Sequence, residues 1–416
     1  MPDIRRLKLF IRWHKSIKKS KIIDFYVVLI ISFIAIVISL SLASNHHVLF
    51  YTKDNLWFGS DIERVYNQSI NFQVARNYLH PLFSLFMFHS LRILSFFGFC
   101  YLEAACFLIA LSGAIVSSSL YLTLRFTKLT VVSSVLGSAV FLSSGAFVFW
   151  WSVIETFPIG AVMISIIFLL QSTGNKSKWI WVISSASTLG ITVSNWMVAI
   201  IAVFLTFSRL KALKILLSGS AIVIILYLIT NYIYSSINPL TTMYSFASER
   251  SYLVIPKNFS DFPLYLIIYM KRSIEFFIYP AVLSEITSGS DEGYSYLVST
   301  FFNYNISALI AIACWVTLVL GGVIKIFRSI TISQLAQTLL LFILFQFLLH
   351  LFYGEFAFLY SAHYAPALVI IASYSFQGKY VKLFQSIAFV FCLTAIYSNM
   401  ENFNRAITLV NSYFNN

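Results

Sequence analysis

The chain has 416 residues, 59% of them hydrophobic and only 10% charged, with a mean hydropathy of +0.84. A soluble domain carries roughly 25% charged residues, so this composition excludes an ordinary soluble fold, and the lack of short alternating apolar segments excludes a transmembrane β-barrel. The formal charge of +13 sits mainly in short loops between apolar runs, as the positive-inside rule expects, so the predicted partner is anionic membrane lipid and not nucleic acid.

In chain order, Arg5, Arg6, Lys8, Arg12, Lys15, Lys18, Lys19 and Lys21 precede an apolar run over 25–43. That run is longer than the hydrophobic part of a secretion signal and has no convincing cleavage site. Residues 1–23 therefore read as a basic cytoplasmic segment, and 24–416 as a single integral membrane domain whose first span is 24–44. Residues 45–97 form a first external loop. Within it, 80–97 is apolar but carries His80, Pro81, His89 and Arg92, which suits a helix lying in the interface better than a full span.

Spans follow at 98–124, at 129–150 ending on the interface pair Trp150 and Trp151, and at 156–171. Residues 178–208 allow two short spans with Ser194 and Asn195 near the turn, and 213–233 exits again. A second large external region, 234–300, is rich in tyrosine and charge. Its apolar part at 264–283 has Lys271 and Arg272 in the middle, so it too is assigned to the interface. Spans at 302–324, 333–350, 360–376 and 383–399 complete the chain and leave a short polar tail. The fold class is thus an all-α polytopic membrane protein of about eleven transmembrane helices, N-terminus inside, C-terminus outside. Cys100, Cys106, Cys314 and Cys392 lie in or beside apolar spans without metal or disulfide spacing and read as small hydrophobes. No Gly-rich nucleotide loop is present, so a cytoplasmic nucleotide donor has no support.

Against this background, charge near the bilayer is costly unless paired, hydrated or functional. The first concentration is a polar island over 57–81 containing Asp61, Glu63, Arg64, Arg76 and His80. Asp61 is a candidate general base, or alternatively the cap of a following helix. Glu155 stands nearly alone among apolar residues at the external start of a span. It reads as an acceptor-orienting carboxylate, a partner of Asp61 at a divalent metal site, or a span-end residue that reaches water.

Four features recur in one order. They are Asp61-Ile-Glu-Arg64 after span 1, His80-Pro81-Leu82 opening a helix that closes at Gly98, Glu155 at the start of a span, and Tyr360-Ser-Ala-His363-Tyr364-Ala-Pro366 opening a late span. Together they resemble the GT-C superfamily of membrane glycosyltransferases, in the branch of protein O-mannosyltransferases and the lipid A aminoarabinose transferase. The chain departs from that family's Lys-Pro-Pro at His80-Pro81, and carries Glu155 where the family more often has Asp. The resemblance covers the layout of most of the first 200 residues and the 350–370 region.

It implies a GT-C-like fold and an inverting transfer of sugar from a polyprenyl-phosphate donor to a glycan, lipid or protein acceptor on the external face of the membrane, and the richness in Phe, Ile and Ser suits a bacterial inner membrane. Asp61 and Glu155 would be catalytic. Glu63, Arg64, Arg76, His80, Arg250, Tyr360, His363 and Tyr364 would bind substrate, with His363 and Tyr364 at the donor phosphate. Mg or Mn on Asp61 and Glu155 is an open alternative. On a helix, Glu63 would point away from Asp61, whereas Arg64 would reach it. Competing readings are an O-antigen-type polymerase or ligase, which would rely on loop Arg and His, and a transporter or flippase of lipid-linked sugars, which would show two similar halves with broken helices.

Overall fold

A computed structural model describes residues 4–44, 56–72, 79–234, 249–256, 258–291, 294–354 and 356–415. The chain is mostly helical. Among the described residues the helices are α1 (Ile4–Ala43), α2 (Ile62–Asn71), α3 (Phe83–Phe96), α4 (Tyr101–Phe126), α5 (Val131–Leu142), α6 (Gly145–Trp150), α7 (Thr156–Ser172), α8 (Lys178–Ile191), α9 (Trp196–Thr206), α10 (Arg209–Tyr234), α11 (Phe262–Ile278), α12 (Ile306–Phe327), α13 (Gln334–Phe352), α14 (Ser361–Ser373) and α15 (Val381–Asn415). Strands β1 (Ile286–Asp291) and β2 (Tyr294–Ser299) form an antiparallel hairpin between α11 and α12.

Among the described residues six helices are long and apolar enough to cross a membrane: Lys21–Ala43 within α1, α4, Arg209–Ile233 within α10, α12, α13 and Val381–Phe414 within α15. The layout is that of an all-α membrane protein. Other apolar helices, among them α3, α5 and α7, have only 10–17 residues, short of the ~20 that hydrocarbon requires. The short ones include the most enclosed. Every residue of α14 is buried, and a helix wrapped in protein need not match the lipid thickness.

Burial sorts the long helices. The apolar window of α4 is 72% buried, against 22% for α1 and α15 and 28% for α10 and α12. Hence α4 is central and the others show broad apolar faces outward. Lipid tails are as apolar as leucine, so close packing, not water exclusion, has to hold such helices together. The α4 sequence supplies small residues for it. A methyl on Gly113 would stand 2.8 Å from the Trp151 ring, and Ser118 shares a 2.8 Å hydrogen bond with Ser32 of α1. At the far end of α4, Asp24 accepts from Tyr121 at 2.6 Å and from Arg125 at 2.7 Å.

Several predicted boundaries are corrected. The span expected over 129–150 is two helices, because Ser143 and Ser144 interrupt it. Ser144 Oγ accepts from the Phe147 N–H at 3.2 Å and caps α6, while Asn399 Nδ2 donates to the Ser143 carbonyl at 3.0 Å. The 383–399 span does not end in a loose polar tail. It continues as α15, whose second half buries Phe403, Ala406 and Val410. The basic 1–23 segment joins the first span as one helix from Ile4. The hairpin within 234–300 went unforeseen. The expected helices over 80–97 and 264–283 are present as α3 and α11, and α3 closes at Gly98, which holds φ +95°, the left-handed conformation glycine tolerates at a helix C-terminus.

The two large polar regions meet. The Leu297 N–H of β2 donates to the Leu56 carbonyl at 2.8 Å, and the Tyr296 and Phe356 rings lie 5.3 Å apart. Asn399 and Asn402 of α15 tie the hairpin base down through the Ala281 and Leu283 carbonyls, each at 2.9 Å.

Candidate active site

Residues 57–60 enter the fold as a buried aromatic wedge. Trp57 donates its indole N–H to the Phe149 carbonyl at 3.3 Å. The Phe58 ring packs edge-on against Trp57, Phe149 and Phe358 at 5.3–5.5 Å between centroids. Phe58 holds φ 53° and Gly59 φ 75°. A left-handed turn at a bulky residue costs on the order of 1–2 kcal/mol and persists only where packing enforces it. Ser60 Oγ closes the turn on the Trp57 carbonyl at 2.6 Å, and α2 starts immediately after Asp61.

Asp61 stands at the N-cap of α2 but its side chain makes no cap. The carboxylate instead pairs with the Arg64 guanidinium, and Arg64 Nη1 also donates to Gln68 Oε1 at 3.2 Å. The Asp61 N–H donates to Glu155 Oε1 at 3.1 Å. Glu155 is 3% exposed and is the N-cap of α7. Its Oε2 accepts from the Thr156 N–H and, at 3.0 Å, from the Thr156 hydroxyl. Burial pushes the Glu155 carboxyl up to about 7, and the Asp61 charge adds to this. Arg64 and the amides of Thr156 and Asp61 pull the other way.

The 358–364 segment completes the wall. Trp150 Nε1 donates to the Phe358 carbonyl at 3.2 Å and to Ser361 Oγ at 3.0 Å. The Phe157 ring touches Trp150, Tyr360 and His363 at 5.2, 5.7 and 5.3 Å. Tyr360 stacks on His350 at 4.2 Å. Thus 57–64, 150–157 and 358–364, far apart in sequence, share one wall.

Other predicted residues lie elsewhere. Glu63 is exposed on α2. Arg250 is exposed on a turn, Glu249–Tyr252, near Tyr353. Arg76 lies outside the described residues. His80 Nδ1 contacts the Ile191 carbonyl at 2.9 Å and Thr192 Oγ1 at 3.2 Å, bracing the turn between α8 and α9. His363 was expected to be accessible but is 2% exposed, because α14 starts inside the wall and Phe157 covers the ring. Tyr364 is fully buried and stacks on Phe276 of α11 at 4.1 Å.

Two features had escaped notice. Asn195 is fully buried with neither amide atom partnered, and His363 Nε2 is likewise unpartnered. Both Asn195 Nδ2 and His363 Nε2 lie 2.7 Å from where a Cβ on Gly160 would stand, so they converge one turn below Glu155. An amide inside the apolar 178–208 stretch was the available signal. Second, Arg272, in the middle of the interfacial helix α11, is buried. Its Nη2 donates to the Gly354 carbonyl at 2.7 Å, a cation closing the C-terminal end of α13. Beside it, Glu275 contacts Lys271 at 3.6 Å and the Tyr279 hydroxyl at 3.2 Å, and burial raises its carboxyl above the usual range.

Carboxylate oxygens are the ligands Mg and Mn take, and here both carboxylates have protein partners. Both Glu155 oxygens already accept hydrogen bonds, and the Arg64 guanidinium lies on Asp61. Among the described residues no group of three or more His, Cys, Asp or Glu side chains could hold a metal ion.

Comparison with known proteins returns no match: no family model fits the chain, and no curated protein or solved structure is significantly similar to it.

Proposed function

We propose that the protein is a GT-C-like membrane glycosyltransferase. It moves a sugar from a polyprenyl-phosphate donor to a glycan, lipid or protein acceptor at the end of the bundle that carries Asp61 and Glu155. In this reading that end faces outside a bacterial inner membrane, and the short central helices count among the crossings. The observation that carries the proposal is the 3.1 Å hydrogen bond from the Asp61 backbone to Glu155. It joins two of the four features in which the sequence resembles this superfamily, and the third borders them through Phe157.

In this reading the two carboxylates divide the work. The Asp61 side chain is 23% exposed, so it can meet an acceptor, whereas Glu155 is enclosed and holds the Asp61 backbone. Asp61 takes the proton from the acceptor hydroxyl as the hydroxyl oxygen bonds to the anomeric carbon. The bond from that carbon to the phosphate oxygen breaks on the opposite face, and the electron pair leaves with the polyprenyl phosphate. Arg64, released from Asp61 as the latter is neutralised, offers a guanidinium to the departing phosphate.

The test is glycan and lipid analysis of a deletion strain complemented with wild type or with Asp61→Asn. A missing glycan restored by wild type alone supports the proposal. Full restoration by Asp61→Asn, or an unchanged envelope on deletion, overturns it.

A further inference from the structure

A second polar site lies at the other end of α7. Helix α7 has 17 residues, so its two ends are about 25 Å apart. Around its last turn is a cavity of about 490 Å³, lined by Gln171, Lys325, Thr331, Ser333, Tyr374 and Gln377 among others, a volume suited to a small ligand or a lipid headgroup. Gln171 is 8% exposed, and neither atom of its side-chain amide has a hydrogen-bond partner. A buried unpaired amide costs on the scale of a lost hydrogen bond, so a site built around one is built to be filled.

The charge of the ligand follows from what faces the cavity. The C-terminal ends of α4, α7, α12 and α14 converge there, and carbonyl ends would favour a cation. Those carbonyls are closed by their own turns, however. Thr127 N–H donates to Thr123, Gly174 to Gln171, Ser329 to Ile326, and Tyr374 to Ile371 and Ala372. What remains is donor-rich. Lys325 reaches across from α12, its Nζ 3.4 Å from where a Cβ on Gly378 would stand. Ser333 caps the start of α13 through the Ala336 N–H at 3.2 Å and shares a 3.4 Å contact with the Tyr374 hydroxyl. No lining residue is acidic. Lys128, Arg328 and Lys379 follow within a few residues of the lining segments, giving this end the positive field that attracts anionic headgroups.

We propose that this cavity binds a phosphate group, with Lys325 as its counter-charge and the Gln171 amide as its hydrogen-bonding partner. The phosphate comes from an anionic lipid headgroup or from a soluble phosphate. The proposal is independent of the transfer chemistry at Asp61.

The experiment uses the full chain, purified and delipidated in detergent. Binding of phosphatidylglycerol, of a neutral diacylglycerol and of inorganic phosphate is titrated by native mass spectrometry. Lys325→Met and Gln171→Met are expected to weaken phosphatidylglycerol or phosphate binding about tenfold or more, and Lys325→Arg to retain it. Lys176→Met, at an exposed residue held by the Thr206 carbonyl, is expected to leave binding unchanged. Binding of phosphatidylglycerol alone assigns the site to lipid, and binding of inorganic phosphate assigns it to a soluble anion. A photoactivatable phosphatidylglycerol on the wild-type protein, mapped by peptide, needs no variant to fold and is expected to label 325–336 or 374–377. The proposal is overturned by equal binding of the neutral lipid, by Lys325→Met and Gln171→Met variants that bind phosphatidylglycerol or inorganic phosphate as wild type does, or, where phosphatidylglycerol binds, by labelling confined to other segments.

Discussion

Glu155 and Gln171 stand at opposite ends of one helix, and both are buried. They differ in how their polar atoms are used. Each Glu155 oxygen accepts a hydrogen bond, from Asp61 on one side and Thr156 on the other. Neither side-chain atom of Gln171 has a partner. A buried charge must be satisfied or it neutralises, so Glu155 fixes the geometry around it and organises Asp61. A neutral amide can be left open at lower cost, so Gln171 leaves room for a ligand. The polar atoms of Glu155 are thus locked and those of Gln171 open, and substitutions at each should behave differently.

The largest expected effect is on activity at the Glu155 end. Asp61→Asn keeps the backbone N–H that Glu155 holds, so the wedge and α2 should stay in place while the general base is lost. A fall of roughly 10²–10⁴ in transfer rate is expected, with a thermal midpoint close to wild type. A rate within a factor of a few of wild type, in an assay with purified protein and lipid-linked sugar, would remove Asp61 from the chemistry.

Next comes Glu155. Glu155→Ala removes the cap of α7 and leaves the Asp61 N–H without its acceptor. A loss of ~1–3 kcal/mol is expected from cap and orphaned donor, measured as a lower Tm in detergent. Glu155→Gln retains one acceptor oxygen and should lose less. If the two variants melt alike, the amide bonds are not what makes Glu155 stabilising.

Glu155 also predicts a pH dependence. A carboxyl raised from 4.5 to about 7 binds its proton more tightly in the folded chain than in the unfolded one. Its contribution to stability is therefore fully present below about pH 4.5 and is lost as pH rises through about 7. Wild type should become easier to unfold between pH 5 and pH 8, and Glu155→Gln should flatten that slope. A wild-type slope of opposite sign, restored by no other carboxyl, would mean that Glu155 is ionised throughout.

The same contrast explains what was legible in the sequence. Charges are rare in this chain, so Asp61 and Glu155 stood out at once, and the 3.6-residue period placed Arg64 toward Asp61 and Glu63 away from it. Hydropathy measures transfer into lipid, and it describes α1, α10 and α12 well because they face outward. It cannot tell that α14 is wrapped in protein, so His363 was given an accessibility it lacks. Neither could it find the break at Ser143 and Ser144, which rests on Asn399, more than 250 residues away. Asn195 and Gln171 were passed over for a related reason. An amide counts as mildly polar in any sum along the chain, and only a packed structure reveals whether its atoms found partners.

Gln171→Met gives the smallest effect and the sharpest contrast. The substitution keeps the length of the side chain and removes two unpaired polar atoms, so in delipidated protein it should leave Tm unchanged or raise it, by no more than ~1 kcal/mol of stability. Addition of anionic lipid should reverse the order. A ligand bound only by the folded state stabilises it in proportion to the logarithm of its saturation, and wild type would gain that stabilisation where Gln171→Met gains little. Glu155→Gln, at the other end of α7, should keep the same deficit with or without lipid, since its partners are all internal. Melting both variants in detergent, with and without phosphatidylglycerol, separates the two ends by sign and not by size. A Gln171→Met protein less stable than wild type by the same amount in both conditions would mean that its amide serves the fold as Glu155 does.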